Sequence, residues 1–83
     1  MPLTVSDPAT LGRVIRDTRR ALGLKQPGLA LSAGVGVRFL VDIENGKPTA
    51  QIGKIMQVLG ALGITVQLSP PDGAEIPDGR PQP

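Results

Sequence analysis

Apolar and polar positions along the chain predict four helices followed by one short strand. The first helix begins at Asp7 and Pro8, because a side-chain acceptor at the N-cap and a proline at the first helical position are typical of a helix start. Gly23 ends this helix as a C-cap glycine. The apolar stripe recurs at the spacing of an amphipathic helix and consists of Leu11, Val14, Ile15, Thr18 and Leu22.

Two short helices separated by glycines follow. Pro27 lies in the first turn of the second helix, and Gly34 ends this helix. After a tight turn opened by Gly36, the third helix runs from Val37 to about Glu44. The predicted core positions of these two helices are Leu29, Ala30, Leu40 and Ile43.

A fourth helix is predicted after Asn45-Gly46, which ends the third, and Pro48, which blocks its continuation. Thr49 is the expected N-cap of the fourth helix, and Gly63 is its expected end. Its predicted inward positions are Ile52, Ile55, Met56, Leu59 and Leu62.

The next five residues alternate between apolar and polar, which predicts a strand. They are Ile64, Thr65, Val66, Gln67 and Leu68. A strand needs a partner for its backbone groups, and no second strand pattern is found in the sequence. We therefore expect the segment to pair with the same segment of another copy, as a two-stranded ribbon across a homodimer.

Residues 69–83 are predicted to form a disordered, acidic, proline-rich tail beyond a folded domain of residues 1–68. The tail holds five of the nine prolines and one large apolar residue, Ile76. Two interpretations stay open. The tail is a solubilising extension, or it is a peptide that binds a partner through Ile76.

Composition narrows the function classes. With one aromatic residue, Phe39, the core must be aliphatic, and a chain of 83 residues is one domain. The absence of Cys and His removes disulfides, the usual transition-metal ligands and the commonest general base, so an enzyme is the least favoured class and no cofactor is expected. No apolar run is long enough to span a bilayer and no signal peptide is evident, so we expect a cytoplasmic, non-membrane protein.

Charge separates the chain into a basic body and an acidic tail. Residues 1–68 carry eight Lys and Arg against four acids, whereas residues 69–83 carry one Arg against three acids. This distribution is typical of a polyanion-binding domain with an appendage, although a soluble surface explains it equally well. Two short helices joined by a glycine-containing turn also fit the helix-turn-helix, a DNA-binding motif.

Residues 10–68 resemble the xenobiotic-response-element family of lambda-repressor-like helix-turn-helix proteins, and more narrowly the HipB-type antitoxins of bacterial toxin–antitoxin operons. The motifs RxxLGLxQ, LAxxxGV, VRFLVDIENGKPTA and LGITVQL carry the resemblance. It implies an all-α, four-helix domain with a C-terminal strand that pairs across a homodimer. It also implies a repressor that binds a palindromic double-stranded operator in the bacterial nucleoid and neutralises a HipA-like kinase toxin.

The resemblance also implies roles for individual residues. Arg19 and Glu44 match a structural ion pair. Positions that contact DNA phosphates are matched by Gln26, Gly36, Asn45 and Lys47. Gly36 replaces the usual Ser or Thr there, which removes a hydroxyl.

Base reading is expected on the exposed face of the third helix, at Val37, Arg38, Val41 and Asp42. Arg38 is suited to hydrogen-bond guanine O6 and N7 bidentately, and the two valines suit thymine methyl groups. Asp42 either accepts a hydrogen bond from cytosine or orients Arg38 one helical turn away. We expect Phe39 to pack in the core or at the hinge rather than to insert between bases.

Two alternative functions stay open. One is a stand-alone phage-type or restriction-controller repressor without a toxin. The other is a protein-interaction module whose helix-turn-helix no longer reads DNA, which the apolar cluster of Val37, Phe39 and Val41 favours.

Overall fold

A computed structural model of the chain describes residues 2–77. It contains α1 (Pro8–Ala21), α2 (Gln26–Ala33), α3 (Val37–Glu44) and α4 (Ile52–Ala61). Within residues 2–77 there is no strand, so the described chain is all-α. The last part of the predicted tail, residues 78–83, lies outside the described residues. None of the described helices has the length and apolar character needed to cross a membrane.

The start and end of α1 follow from its local sequence. Asp7 is the N-cap, and its carboxylate accepts hydrogen bonds from the Thr10 backbone nitrogen at 2.7 Å and the Thr10 hydroxyl at 3.0 Å. These bonds satisfy a helix-terminal donor that would otherwise have no partner. After the last turn the backbone of Gly23 has a left-handed φ of 72°. Both ends of the helix agree with the prediction.

The helices enclose an aliphatic core in which α1 packs on α3, and α2 packs on both α3 and α4. All four predicted core residues of α2 and α3 are buried. The buried core residues are Ile15, Leu29, Ala30, Ala33, Leu40, Ile43, Val58, Leu59 and Leu62. Leu22 is an exception to the predicted α1 stripe, because it is the C-cap residue beyond the last turn and 56% of its surface is exposed.

Helix α4 begins later than predicted. Its N-cap is Gln51, and Thr49 lies in the preceding turn, so the prediction of a Thr49 cap is wrong. The turn after Pro48 delays the helix by two residues. Ile52 and Met56 are exposed, and Val58 is fully buried in their place. The inward stripe therefore starts at Ile55, and the prediction that Ile52 and Met56 face the core of the single chain is wrong.

Residues 64–68 have no regular secondary structure and no ladder partner in the single chain, so the predicted strand is not confirmed. Ile64 packs against the core and its backbone nitrogen donates to Leu59 O at 2.9 Å, whereas Val66 and Leu68 are exposed. Beyond them the chain turns at Asp72-Gly73, and Ile76 is also exposed. The single chain offers no partner for the backbone of residues 64–68, so pairing of this segment with a second copy stays a prediction.

Candidate nucleic-acid interface

Helices α2 and α3 form a helix-turn-helix around Gly34. This residue is the C-cap of α2 and has a left-handed φ of 72°, a conformation that glycine adopts without strain. The next backbone nitrogen, that of Val35, donates to Ala30 O at 3.0 Å and closes the turn. Because Leu29 and Leu40 are both fully buried, the two helices pack closely and leave the opposite side of α3 toward solvent.

The solvent side of α3 carries the four residues predicted to read bases. The Arg38 side chain is 85% exposed and its Nη2 lies 3.2 Å from Asp42 Oδ1, one helical turn away. Lys47 Nζ lies 3.8 Å from the other oxygen of the same carboxylate. Val37 is exposed and Val41 is half-buried beside them. Of the two roles considered for Asp42, this geometry favours orienting Arg38.

Phe39 faces the opposite direction and packs against the core, as expected from the sequence. Its ring also lies 5.7 Å from Lys54 Nζ, a cation–π distance that joins α3 to α4. The apolar cluster proposed from Val37, Phe39 and Val41 is therefore divided between two sides of α3. This division removes the observation that favoured an interaction module.

Arg19 and Glu44 form a buried, bidentate ion pair. Arg19 Nε and Nη2 donate to the two oxygens of Glu44 at 2.7 Å and 3.0 Å, and Arg19 Nη1 donates to Leu24 O at 2.9 Å. The hydrogen bonds to Glu44 raise the pKa of Arg19 above its ordinary value. The side chains are only 9% and 2% exposed, so the pair fixes the end of α1 against the end of α3.

Gln26, the first residue of α2, joins this pair. Its Nε2 donates to Glu44 Oε1 at 3.0 Å, a contact that the sequence analysis did not anticipate. An amide nitrogen carries two donors, so the bond to Glu44 uses only one of them. The Glu44 carboxylate thus connects the ends of three helices.

A cavity of about 420 Å³ opens beside this cluster. Three of the residues that line it were missed by the sequence analysis, namely Arg16, Arg20 and Lys25. The signal was present, since Arg16 and Arg20 are four residues apart and therefore share a face of α1 with Arg19. Gln26 and Asn45 also line the cavity.

The other residues predicted to contact phosphates lie at the two ends of α3. Gly36 is the N-cap and makes no side-chain capping bond, because it has no side chain. Asn45 is the C-cap, and the backbone nitrogen of Lys47 donates to Asp42 O at 3.0 Å. All three are exposed. Among residues 2–77, no group of three or more carboxylates is placed to hold a metal ion.

Comparison with known proteins shows that the chain is similar to a transcriptional regulator. An uncharacterised HTH-type transcriptional regulator, y4mF of Sinorhizobium fredii, is 48% identical over 71 residues, covering 86% of this chain and 93% of the relative. No protein-family model matches the chain.

Solved structures share the fold. A HipB variant in complex with an O2 20-mer has a TM-score of 0.78 at 18% identity, covering 84% of this chain and 97% of that one. HipB in a complex with HipA, O2 and O3 has a TM-score of 0.77 at 19% identity, covering 83% and 97%. The restriction-modification controller protein C.AhdI of Aeromonas hydrophila has a TM-score of 0.64 at 28% identity, covering 70% and 88%.

Proposed function

The chain belongs to the HTH-type transcriptional regulators, and from this membership we propose that it is a homodimeric repressor that reads a palindromic operator with the solvent side of α3. The observation that carries the proposal is the placement of Arg38. Its guanidinium is almost fully exposed on α3 and is oriented by Asp42. An exposed, oriented arginine on the second helix of this motif is suited to the two acceptors of guanine in the major groove.

The proposed base-reading residues are Val37, Arg38, Val41 and Asp42, and the proposed phosphate contacts are Gln26, Gly36, Asn45 and Lys47. The phosphate contacts lie at the first turn of α2 and at both ends of α3. Contacts on both sides of a helix fix its register in the groove, whereas the side chains between them distinguish the bases. In this arrangement the phosphate contacts position α3, and the base contacts determine which DNA sequence is bound.

We propose that a second copy of the chain pairs with the C-terminal end of the domain. Ile52 and Met56 share a face of α4 and are exposed, as are Val66 and Leu68. Pairing of residues 64–68 across a two-fold axis would provide the missing ladder and cover apolar surface. The two copies of α3 would then lie about one helical turn of DNA apart, roughly 34 Å.

The partner proposed for this dimer is a HipA-like toxin, which would make the protein the antitoxin of its operon. Support comes from the sequence motifs at residues 10–68 and from the shared fold with HipB, one of whose structures also contains HipA. A second candidate is a controller repressor without a toxin, which the likeness to C.AhdI favours. The product of a neighbouring gene distinguishes the antitoxin from the controller repressor. Co-purification of the protein with a kinase-like neighbouring gene product supports the antitoxin, and a lack of co-purification supports the controller.

The test of DNA reading is a gel shift on the protein's own promoter DNA across a salt series. We expect salt-sensitive binding to a defined palindromic site and a loss of about 1–3 kcal/mol in Arg38→Ala, because one bidentate base contact is removed. Arg13→Ala is the matched control, since Arg13 is an exposed arginine on α1 outside the proposed interface. Binding no stronger than that of random DNA would exclude the repressor.

A further inference from the structure

We propose that Asp42 is a specificity-determining residue whose carboxylate weakens binding to DNA sequences that Arg38 cannot read. The inference rests on the proposed function and gives Asp42 a role beyond orienting Arg38. The helix α3 contains two acids, and the other one, Glu44, is buried against Arg19. Asp42 therefore places a negative charge on the surface that is proposed to meet a polyanion.

The carboxylate of Asp42 holds two cations, one on each oxygen. Arg38 Nη2 lies 3.2 Å from Oδ1, and Lys47 Nζ lies 3.8 Å from Oδ2. In the free protein the carboxylate offsets the charge of one of these two cations. A neutral residue at position 42 would leave both cations uncompensated, and the surface would then attract any DNA more strongly.

The backbone at the end of α3 keeps this carboxylate in place. The Asp42 side chain is 23% exposed, and the Asp42 backbone oxygen accepts hydrogen bonds from the nitrogens of Asn45 at 3.2 Å and Lys47 at 3.0 Å. The loop that carries Lys47 packs on α1, because a Cβ at Gly46 would lie 3.0 Å from Ala9 Cα. The carboxylate and the loop that carries Lys47 are therefore fixed at the end of α3.

Most base edges in the major groove are unfavourable neighbours for a carboxylate. Guanine offers only acceptors there, and thymine offers an acceptor and a methyl group. At a sequence with no guanine in reach of Arg38, the charge of Asp42 meets acceptors and phosphates without compensation. Non-specific binding depends almost entirely on the attraction of phosphates, so this repulsion weakens it most.

At the operator the same charge is compensated. When the Arg38 guanidinium donates to guanine O6 and N7, further N–H groups stay available to Asp42, because an arginine carries five donors. The cation then lies between the carboxylate and the base. Asp42 thus weakens binding to random DNA more than binding to the operator, and specificity is a difference of this kind.

The test compares the affinities of the wild type and Asp42→Asn for operator and random DNA across a salt series. Asn keeps the size of the side chain and removes its charge. We expect Asp42→Asn to bind random DNA several-fold more tightly at low salt, with the slope of log K against log salt steeper by about 1. The operator should gain less or lose affinity, so the ratio of the two affinities should fall by about 3-fold or more.

Asp17→Asn is the matched control, because it removes an exposed carboxylate from α1 outside the proposed interface. The change in net charge is the same, so the ratio between operator and random DNA should stay at the wild-type value. Asp42→Glu keeps the charge and should bind random DNA as weakly as the wild type. An equal gain for both DNAs in Asp42→Asn, or no gain on random DNA, would overturn the proposal.

The variant Arg38→Ala separates this role from the orientation of Arg38. A residue that acts only through Arg38 has no effect once the guanidinium is removed. We expect Asp42→Asn to strengthen binding to random DNA in the Arg38→Ala background as well, because the carboxylate still offsets the charge of Lys47 there. Unchanged binding in this background would leave Asp42 with the orienting role alone and would contradict the inference.

Thermal unfolding checks the fold of each variant. Asp42→Ser removes the same charge with a smaller side chain, and it should give the same gain on random DNA if Asp42→Asn fails to fold. A wild type that binds its promoter no better than random DNA would remove the proposed function itself. A wild-type preference for the operator that persists unchanged in the folded neutral variants would remove the proposed role of Asp42 alone.

Discussion

Gly12 lies where the backbone of α1 closely approaches the backbone at the end of α3. A Cβ at this position would overlap Ile43 O and lie 2.8 Å from Glu44 O, both of which are backbone atoms. Backbone cannot move aside as a side chain can, so even a methyl group forces the two helices apart.

Gly12→Ala should therefore lower the free energy of unfolding by at least about 2 kcal/mol, because the added methyl overpacks a helix contact. Denaturant unfolding followed by circular dichroism measures the change. Gly28→Ala is the control, since a Cβ there meets nothing within 4 Å. That variant should gain up to about 1 kcal/mol from helix propensity. Equal effects of the two substitutions would contradict the close approach at Gly12.

Asp7 gives the fold a specific response to acid. Hydrogen bonds from the Thr10 backbone and hydroxyl hold the pKa of Asp7 below its ordinary value. A carboxylate whose pKa is lowered in the folded state stabilises the fold above its ordinary pKa, about pH 4, and loses this contribution as the pH falls through the lowered value.

Asp7→Ala should lower the midpoint of thermal unfolding at pH 7, and the difference from the wild type should shrink as the pH falls below about 4. Midpoints measured from neutral to acid pH test this. Asp17→Ala, which removes an exposed carboxylate from the same helix, is the control. A difference that persists undiminished in acid would show that the Asp7 charge does not cap α1.

At the scale of elements, the Arg19–Glu44 pair holds three helix ends together. Arg19→Met alone should lower the free energy of unfolding by about 3–5 kcal/mol, because it leaves a buried carboxylate without its cation. The double variant Arg19→Met, Glu44→Met should recover much of that loss, since no buried charge remains. A double-mutant cycle in denaturant measures both. Additive losses would mean that the two residues do not act as a pair.

The sequence predicted those elements whose signals are local. Asp7, Pro8 and Gly23 define α1 by themselves, and Gly34 and Gly36 define the turn before α3. Helix α4 has no comparable start signal, because its N-cap, Gln51, makes no capping bond, and its first residue was therefore misplaced.

The site was predictable only in part. Periodicity and the family motif located the solvent side of α3, but the bond from Gln26 to Glu44 and the cationic cavity depend on how α1 meets α2. Spacing within one helix does not contain that information. Similarly, periodicity placed Ile52 and Met56 inward because it reports an apolar side of α4 without specifying what covers it.

At the scale of the whole molecule, pairing of residues 64–68 predicts a dimer. In an antiparallel ribbon centred on Val66, this residue faces its own copy, so Val66→Glu places two carboxylates opposite each other. We expect Val66→Glu to be monomeric by analytical ultracentrifugation at concentrations where the wild type is a dimer, with a midpoint of unfolding independent of concentration.

Gln67→Glu is the matched control for the dimer, because in the same register position 67 faces Thr65 of the partner and no like charges meet. It should remain dimeric. A wild type that is monomeric at all concentrations, or a Val66→Glu variant that associates as the wild type does, would exclude pairing through this segment.

For the proposed repressor, the connection of three helix ends through Glu44 has a consequence for the bound DNA. Because α3 is fixed at its end to α1 and α2, it cannot tilt to follow a groove of unfavourable width. The duplex must then bend or twist to fit the protein, and the energy of that deformation depends on base steps that no side chain contacts. Operators of this regulator should therefore differ in affinity according to the stiffness of the base pairs between their half-sites.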